Sequence, residues 1–396
     1  MTDLLISPQL GQPGPPAGGS PVATRLDRAA LRELAHHSRE VLQAGQAETG
    51  ALIASPAFTV YRYCWLRDGA FCAHALDRIG QSGQAVAFFR WVGRTLAGQE
   101  AKAESALTRF ATGEKLSAAD FLNTRFTLEG TEETGEEEWW NFQLDGYGTW
   151  LWAFGEHLRR APNEKLREEL RPAVELTVRY LSAFWRLPNY DCWEENVDDV
   201  HPATLAAIYG GLVAAVKLYP SNPVCLEGKK QANALRRFVR ANGLLEGSLV
   251  KSLGREDVDA SLLGAGVPYG LFPPRGKIML KTLDRIAKEL VAPDGGVYRY
   301  RKDVYFGGGE WLLLTAWLGW YYTQAGQREK ALDCLHWVAR QARPNGDMPE
   351  QVTNYLLAPE HRQPWEEKWG LSASPLLWSH AMYLVLYTNL FGEGRL

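Results

Sequence analysis

After a start rich in proline and glycine, apolar residues recur along the chain at three- and four-residue intervals, and the alternation that marks half-buried strands is scarce. That period predicts twelve helices, over residues 25–45, 68–80, 83–107, 144–159, 164–187, 202–218, 223–240, 257–265, 275–289, 309–325, 328–342 and 374–391. Between them lie segments with turn chemistry, among them Pro220-Ser221-Asn222-Pro223, Pro273-Pro274-Arg275-Gly276 and Arg343-Pro344-Asn345-Gly346. Short and long connections alternate, as in a toroid of paired helices whose long loops gather at one mouth. Functional side chains collect in such loops. The predicted class is all-α, with a disordered tail over residues 1–22 and one domain over 23–396.

Composition narrows the chemistry. The 396 residues are 46% hydrophobic and 22% charged, enough for a large core. A net charge of −3 gives no electrostatic draw to nucleic acid or to an anionic membrane, so neither is an expected partner. No run of 18 apolar residues occurs. The five cysteines have neither a C-x-x-C pair nor zinc spacing, and the first residues lack the pattern of a signal peptide, so a reducing, cytoplasmic location is expected. The unusual feature is aromatic: 15 Trp, 16 Tyr and 14 Phe. Such rings fill cores, and they also stack on the C–H faces of sugars.

Two carboxylate motifs, Trp193-Glu194-Glu195 and Met348-Pro349-Glu350-Gln351, fall between predicted helices and lie among aromatic residues. Cleaving a glycosidic bond takes one protonated carboxyl for the departing oxygen and one ionised carboxylate to activate water or attack carbon. Adjacent Glu194 and Glu195 point in different directions in an irregular loop, so one can face the reacting bond while the other binds hydroxyls or supports the loop. Tyr61-Arg62-Tyr63-Cys64-Trp65-Leu66-Arg67-Asp68 brings an Arg-Asp pair to a helix start, offering donors and acceptors at one point. Trp139, Trp140, Asp145 and two glycines form a further aromatic and polar stretch without the Lys and Ser/Thr of a phosphate loop. Each element has a plainer reading alone: a cap and salt bridge, surface charge, core rings. The run Asn196-Val197-Asp198-Asp199 is half of an aspartate-rich magnesium motif whose partner is missing, and neither H-E-x-x-H nor G-x-S-x-G occurs. No metal or cofactor is expected.

In order along the chain, Tyr61-x-Tyr63-x-Trp65-x-Arg67-Asp68, Gln143-x-Asp145-Gly146, Asp191-x-Trp193-Glu194-Glu195, Asp259-Ala260-Ser261-Leu262-Leu263, Arg299-Tyr300-x-x-Asp303-x-Tyr305, Met348-Pro349-Glu350-Gln351 and Leu377-Trp378-Ser379 together resemble glycoside hydrolase family 15, the glucoamylase family. The resemblance implies an (α/α)6 barrel and an inverting mechanism on short α-glucosides. By that resemblance Glu194 is the general acid and Glu350 the general base. Tyr61, Trp65, Arg67, Asp68, Trp139, Glu195, Arg299, Trp311, Gln351 and Trp378 are then the substrate-binding set. Gly308-Gly309-Glu310-Trp311 stands where members often read Gly-Asn-Pro-Trp, a change that falls on a pocket wall. The chain has no room for the N-terminal β-sandwich or starch-binding domain of many members, so maltose- or isomaltose-type substrates are expected rather than raw starch. Linkage stays open. A trehalase of the same family, a phosphorolytic enzyme and a non-catalytic sugar-binding toroid are the competing readings.

Overall fold

The computed structural model describes residues 25–132, 142–394 and 396; the predicted tail lies outside them. In chain order the helices are α1 (Arg28–Ala44), α2 (Leu66–Arg78), α3 (Ser82–Gly98), α4 (Glu100–Ala111) and α5 (Asp145–Arg160). Next come α6 (Glu164–Glu169), α7 (Arg171–Phe184), α8 (Pro202–Leu218), α9 (Pro223–Asn242) and α10 (Lys277–Glu289). The last four are α11 (Leu312–Ala325), α12 (Arg328–Arg340), α13 (Arg362–Trp369) and α14 (Leu377–Phe391). A 3₁₀ helix, Ala260–Ala265, lies between α9 and α10.

Burial pattern sorts these elements into two rings. An outer helix carries one apolar stripe: α10 buries Met279, Thr282, Leu283 and Ile286, the i, i+3, i+4, i+7 positions. In α1 the stripe is Leu31, Ala35, Ser38 and Leu42, and the Asp27 side chain caps the helix by accepting from Ala30 N at 2.8 Å. The inner helices are covered on every side: all thirteen residues of α2 are buried, and nearly all of α11 and α14. Each inner element packs on the next, α2 on α5, α5 on α8, α8 on the 3₁₀ helix, that helix on α11, α11 on α14, and α14 back on α2. This closed ring inside an outer layer is the (α/α)6 barrel. Where α5 meets α8 the axes come so close that a Cβ on Gly211 would lie 2.5 Å from Gly148 O, so only glycine fits.

Three two-residue antiparallel ribbons decorate the ring: β1 (Cys64–Trp65) with β2 (Arg125–Phe126), β3 (Leu244–Leu245) with β4 (Ser248–Leu249), and β5 (Glu310–Trp311) with β6 (Gln351–Val352). β1 runs directly into α2 and β5 into α11, so Trp65 and Trp311 sit at the N-cap positions of inner helices. No helix among the described residues is long and apolar enough to cross a membrane.

Three predicted helices need correction. The segment predicted over 83–107 is two helices, α3 and α4, separated at Gln99 beside Gly98. The one predicted over 164–187 divides at Leu170 because Pro172, lacking an N–H, is tolerated only in the first turn of a helix, here α7. The segment predicted over 257–265 forms the 3₁₀ helix Ala260–Ala265 instead, opened by Asp259, whose side chain accepts from Ser261 N. Helix α13 was not predicted at all.

Candidate active site

The N-terminal ends of inner helices and the loops that precede them enclose a cavity of about 400 Å³. Residues from the start of α2, the loop before α8, the segment before α11 and the start of α14 line it. Its surface is dominated by rings, and Glu194, Glu195, Glu350, Asp68, Arg67 and Arg299 supply charge. Helix N-termini bring partial positive charge to this mouth, which favours the carboxylates gathered there.

Glu194 sits in a tightly tied turn. Its φ of 63° and that of Asn196, 54°, lie in the left-handed region that L-residues rarely adopt. Holding them there, Asp191 Oδ1 accepts from Trp193 N at 2.9 Å and Glu195 N at 3.0 Å, while Glu194 N donates to Asp191 O at 3.0 Å. The Glu194 carboxylate accepts from Trp65 Nε1 and lies 3.8 Å from the Arg67 guanidinium. Burial raises its pKa to about 7 against the pull of Arg67 and Arg125. The negative neighbour that adds to burial is Asp68, whereas Glu195 turns toward Arg299 Nη2, 3.1 Å away, and Tyr300. The divergence foreseen for two adjacent glutamates is therefore present.

Glu350 enters from the segment between α12 and β6. Its Oε1 accepts from Tyr61 Oη at 3.0 Å, and Tyr61 shares a further 2.8 Å hydrogen bond with Tyr305 Oη. Burial raises Glu350 to about 7 although Tyr61 and Arg299 favour its ionised form. Its Oε2 is buried with no hydrogen-bond partner among the described residues, as are Arg67 Nε, Trp311 Nε1 and Trp378 Nε1. The rings that donate to the two glutamates, Tyr61 and Trp65, have centroids 5.7 Å apart, so both carboxyls flank one aromatic pair. Around them Arg67 pairs with Asp68 at 3.1 Å and Asp145 at 3.3 Å and lies over the Trp378 ring. Arg299 is fixed by Asp303, with Nε donating at 2.7 Å.

Two buried glutamates, each titrating near neutrality in one aromatic, arginine-lined cavity, are the raw material of glycoside cleavage, and the sequence comparison agrees. The family description Glycosyl hydrolases family 15 matches residues 33–388. The chain belongs to glycoside hydrolase family 15. It is 43% identical over 368 residues to an isomaltose glucohydrolase of Kribbella flavida, covering 91% of this chain and 94% of that one. A solved glycosidase variant in complex with glucose is 42% identical, with a TM-score of 0.89 over 93% of this chain and all of that one. A trehalase of Sulfolobus acidocaldarius is 24% identical, and there the match spans 53% of the relative's length. A bacterial glucoamylase complexed with acarbose, 20% identical with a TM-score of 0.71, shares the fold.

Of the residues the family resemblance singled out, Tyr61, Trp65, Arg67, Asp68, Glu194, Glu195, Arg299, Trp311, Glu350 and Trp378 all line this glycosidase cavity. Gln351 does not; its Oε1 accepts from Gly309 N at 3.0 Å and pins the β5–β6 ribbon behind the wall. Trp139 lies outside the described residues. Asp199 of the aspartate-rich segment is taken by Arg255 at 2.6 Å. In Gly308-Gly309-Glu310-Trp311, alternation along β5 sends Trp311 to the cavity and Glu310 away from it, where Oε1 accepts from Tyr355 N at 3.0 Å and burial raises the carboxyl to about 7. The substrate-binding set left out Trp193 and Tyr305, both inside quoted motifs, and helix α13, which contributes Trp365, Lys368 and Trp369. The i, i+4 spacing of Trp365 and Trp369 was the available signal.

Proposed function

We propose that this glycoside hydrolase is an exo-acting α-glucosidase that releases one glucose at a time from short α-glucosides, with inversion and with isomaltose-type α-1,6 disaccharides foremost. The observation that carries the reading is the pair Glu194 and Glu350, both raised to about 7 and bound to neighbouring aromatic donors in one cavity. Near neutrality, ionisation of one carboxyl favours retention of the proton by the other, which yields one acid and one base in the same space. Glu194 donates its proton to the glycosidic oxygen as that bond breaks. Glu350 removes a proton from water attacking the anomeric carbon from the far face, and the product is β-glucose. Arg67, Asp68 and Arg299 hold the hydroxyls of the terminal glucose. The unpaired buried polar atoms of Arg67, Trp311, Trp378 and Glu350 suit a ligand rich in hydroxyls. Trp365 and Trp369 of α13 form the side that receives the leaving sugar. A volume of about 400 Å³ sits toward the lower end of small-molecule pockets, roughly 300–1,000 Å³, and favours a short substrate. The near full-length match to an isomaltose glucohydrolase supports the α-1,6 preference over trehalose, whose hydrolases match over half their length. Five free, buried cysteines favour the cytoplasm.

Proton NMR of the anomeric signals, on separate incubations with isomaltose, maltose, nigerose, kojibiose and trehalose, tests the proposal. Early β-glucose from isomaltose is the expected result. Early α-glucose refutes inversion; release from trehalose alone moves the assignment to trehalase, and binding without glucose release to a non-catalytic toroid.

A further inference from the structure

We infer that Lys251 is a positioning residue for the general acid, an ammonium behind the cavity that locks the Trp193-Glu194-Glu195 turn in its working shape. Lys251 is buried and absent from the cavity lining. Its Nζ donates to Asp191 Oδ2 at 2.9 Å and to Asp259 Oδ2 at 2.8 Å, and it lies 3.8 Å from the centroid of the Tyr300 ring. Each of these three partners grips a different part of the turn. Asp191 accepts the backbone N–H groups of Trp193 and Glu195, Asp259 accepts the Trp193 indole N–H at 2.9 Å, and Tyr300 donates to the Glu195 carboxylate.

The turn needs such a clamp because Glu194 and Asn196 are both held at positive φ, a conformation that persists only where its surroundings over-determine it. Two buried carboxylates, Asp191 and Asp259, face one another across this single ammonium. Burial pushes Asp191 toward its neutral form, and the Lys251 ammonium, together with the hydrogen bonds Asp191 accepts, outweighs that push and holds its pKa below the usual range. A protonated Asp191 would be a poorer acceptor for the two N–H groups that shape the turn. The segment that carries Lys251 is itself stitched to the same loop: Leu253 N donates to Val200 O at 3.0 Å, and Ser252 Oγ bonds His201 Nδ1 at 3.0 Å. Removal of the ammonium therefore loosens Glu194 and its proton delivery while the base, Glu350, keeps its own partners Tyr61 and Tyr305.

The test compares two substrates that differ in their need for an acid, and it rests on the proposed role of Glu194. Isomaltose needs a proton on its leaving oxygen; α-glucosyl fluoride departs as fluoride without one, yet both need the base. For Lys251→Met the expected result is a fall in kcat/KM of about 100-fold or more on isomaltose and under about 5-fold on the fluoride, with the fall in kcat rather than in KM. Equal losses on the two substrates, or no loss on isomaltose, overturn the inference. Glu194→Gln is run beside it: if that variant fails to separate the substrates, the acid assignment itself is wrong, whereas separation by Glu194→Gln but not by Lys251→Met rejects Lys251 alone. Should Lys251→Met not fold, the pair Lys251→Met and Asp259→Asn removes the charge together with a counter-charge and is read by the same ratio.

Discussion

Tyr61→Phe removes one oxygen and with it the 3.0 Å hydrogen bond to Glu350 Oε1. A hydrogen bond to a charged group is worth about 1.5–3 kcal/mol, and each pKa unit is about 1.36 kcal/mol. Because the bond favours the carboxylate, its loss raises Glu350 further, by about 1–2 units. Starting from two groups near 7, about a quarter of the molecules hold an ionised Glu350 with a protonated Glu194 at pH 7. With Glu350 raised by about 1.5 units that fraction peaks about 0.7 pH unit higher, at roughly one molecule in forty, so maximal kcat/KM drops by about tenfold. The loss is uneven: about 30-fold at pH 6 and about 4-fold at pH 8, since the acid side is where Glu350 now stays protonated. A pH profile of kcat/KM on isomaltose for both proteins reads this directly. A loss equal at every pH would refute the reasoning and give the hydroxyl a role in the transition state instead of in the titration of Glu350.

Glu194→Gln and Glu350→Gln should each lower kcat by about 10²- to 10⁴-fold or more while calorimetry still detects glucose binding; near wild-type turnover in either would remove that residue from the mechanism. Trp65→Phe deletes an indole N–H that favours the ionised form of Glu194, so the pKa of the acid rises and the alkaline limb of the pH profile moves upward; a downward move contradicts the assignment. Arg299→Met leaves Asp303, 1% exposed, without its cation and should destabilise the fold by about 3–5 kcal/mol in denaturant titration, together with a rise in KM.

The legibility of this fold followed from burial geometry. Outer helices such as α10 were read well because one face meets water and the other the ring, which writes a 3.6-residue period into the sequence. Inner helices were predicted from the same three- and four-residue recurrence, bounded by segments with turn chemistry. Short elements escaped: Ala260–Ala265 is fully buried and too brief for any period to distinguish a 3₁₀ from an α-helix. Helix α13 has no buried residue, and its rings are the single pair Trp365 and Trp369, too short a recurrence to mark a helix. The polar site residues were legible because motifs kept them close in sequence, as in Arg67-Asp68 and Glu194-Glu195. What holds them was not: Lys251 reaches Asp191 across 60 residues, and nothing local to Lys251 in the sequence announces that contact.

Closure of the ring by α14 on α2 has a consequence for biosynthesis. Glu350 and Trp378 belong to the last quarter of the chain, and the almost wholly buried α14 is the element that seals α1, α2, α11 and α12 together. A ribosome therefore delivers Glu350, the proposed base, and the closing helix only after the other ring helices have emerged. Until then the apolar flanks of α2 and α11 have no cover, the condition in which nascent chains associate with one another. A message cut short before α14 yields no weakened enzyme, only a sticky and inert polypeptide that falls to chaperones and proteases.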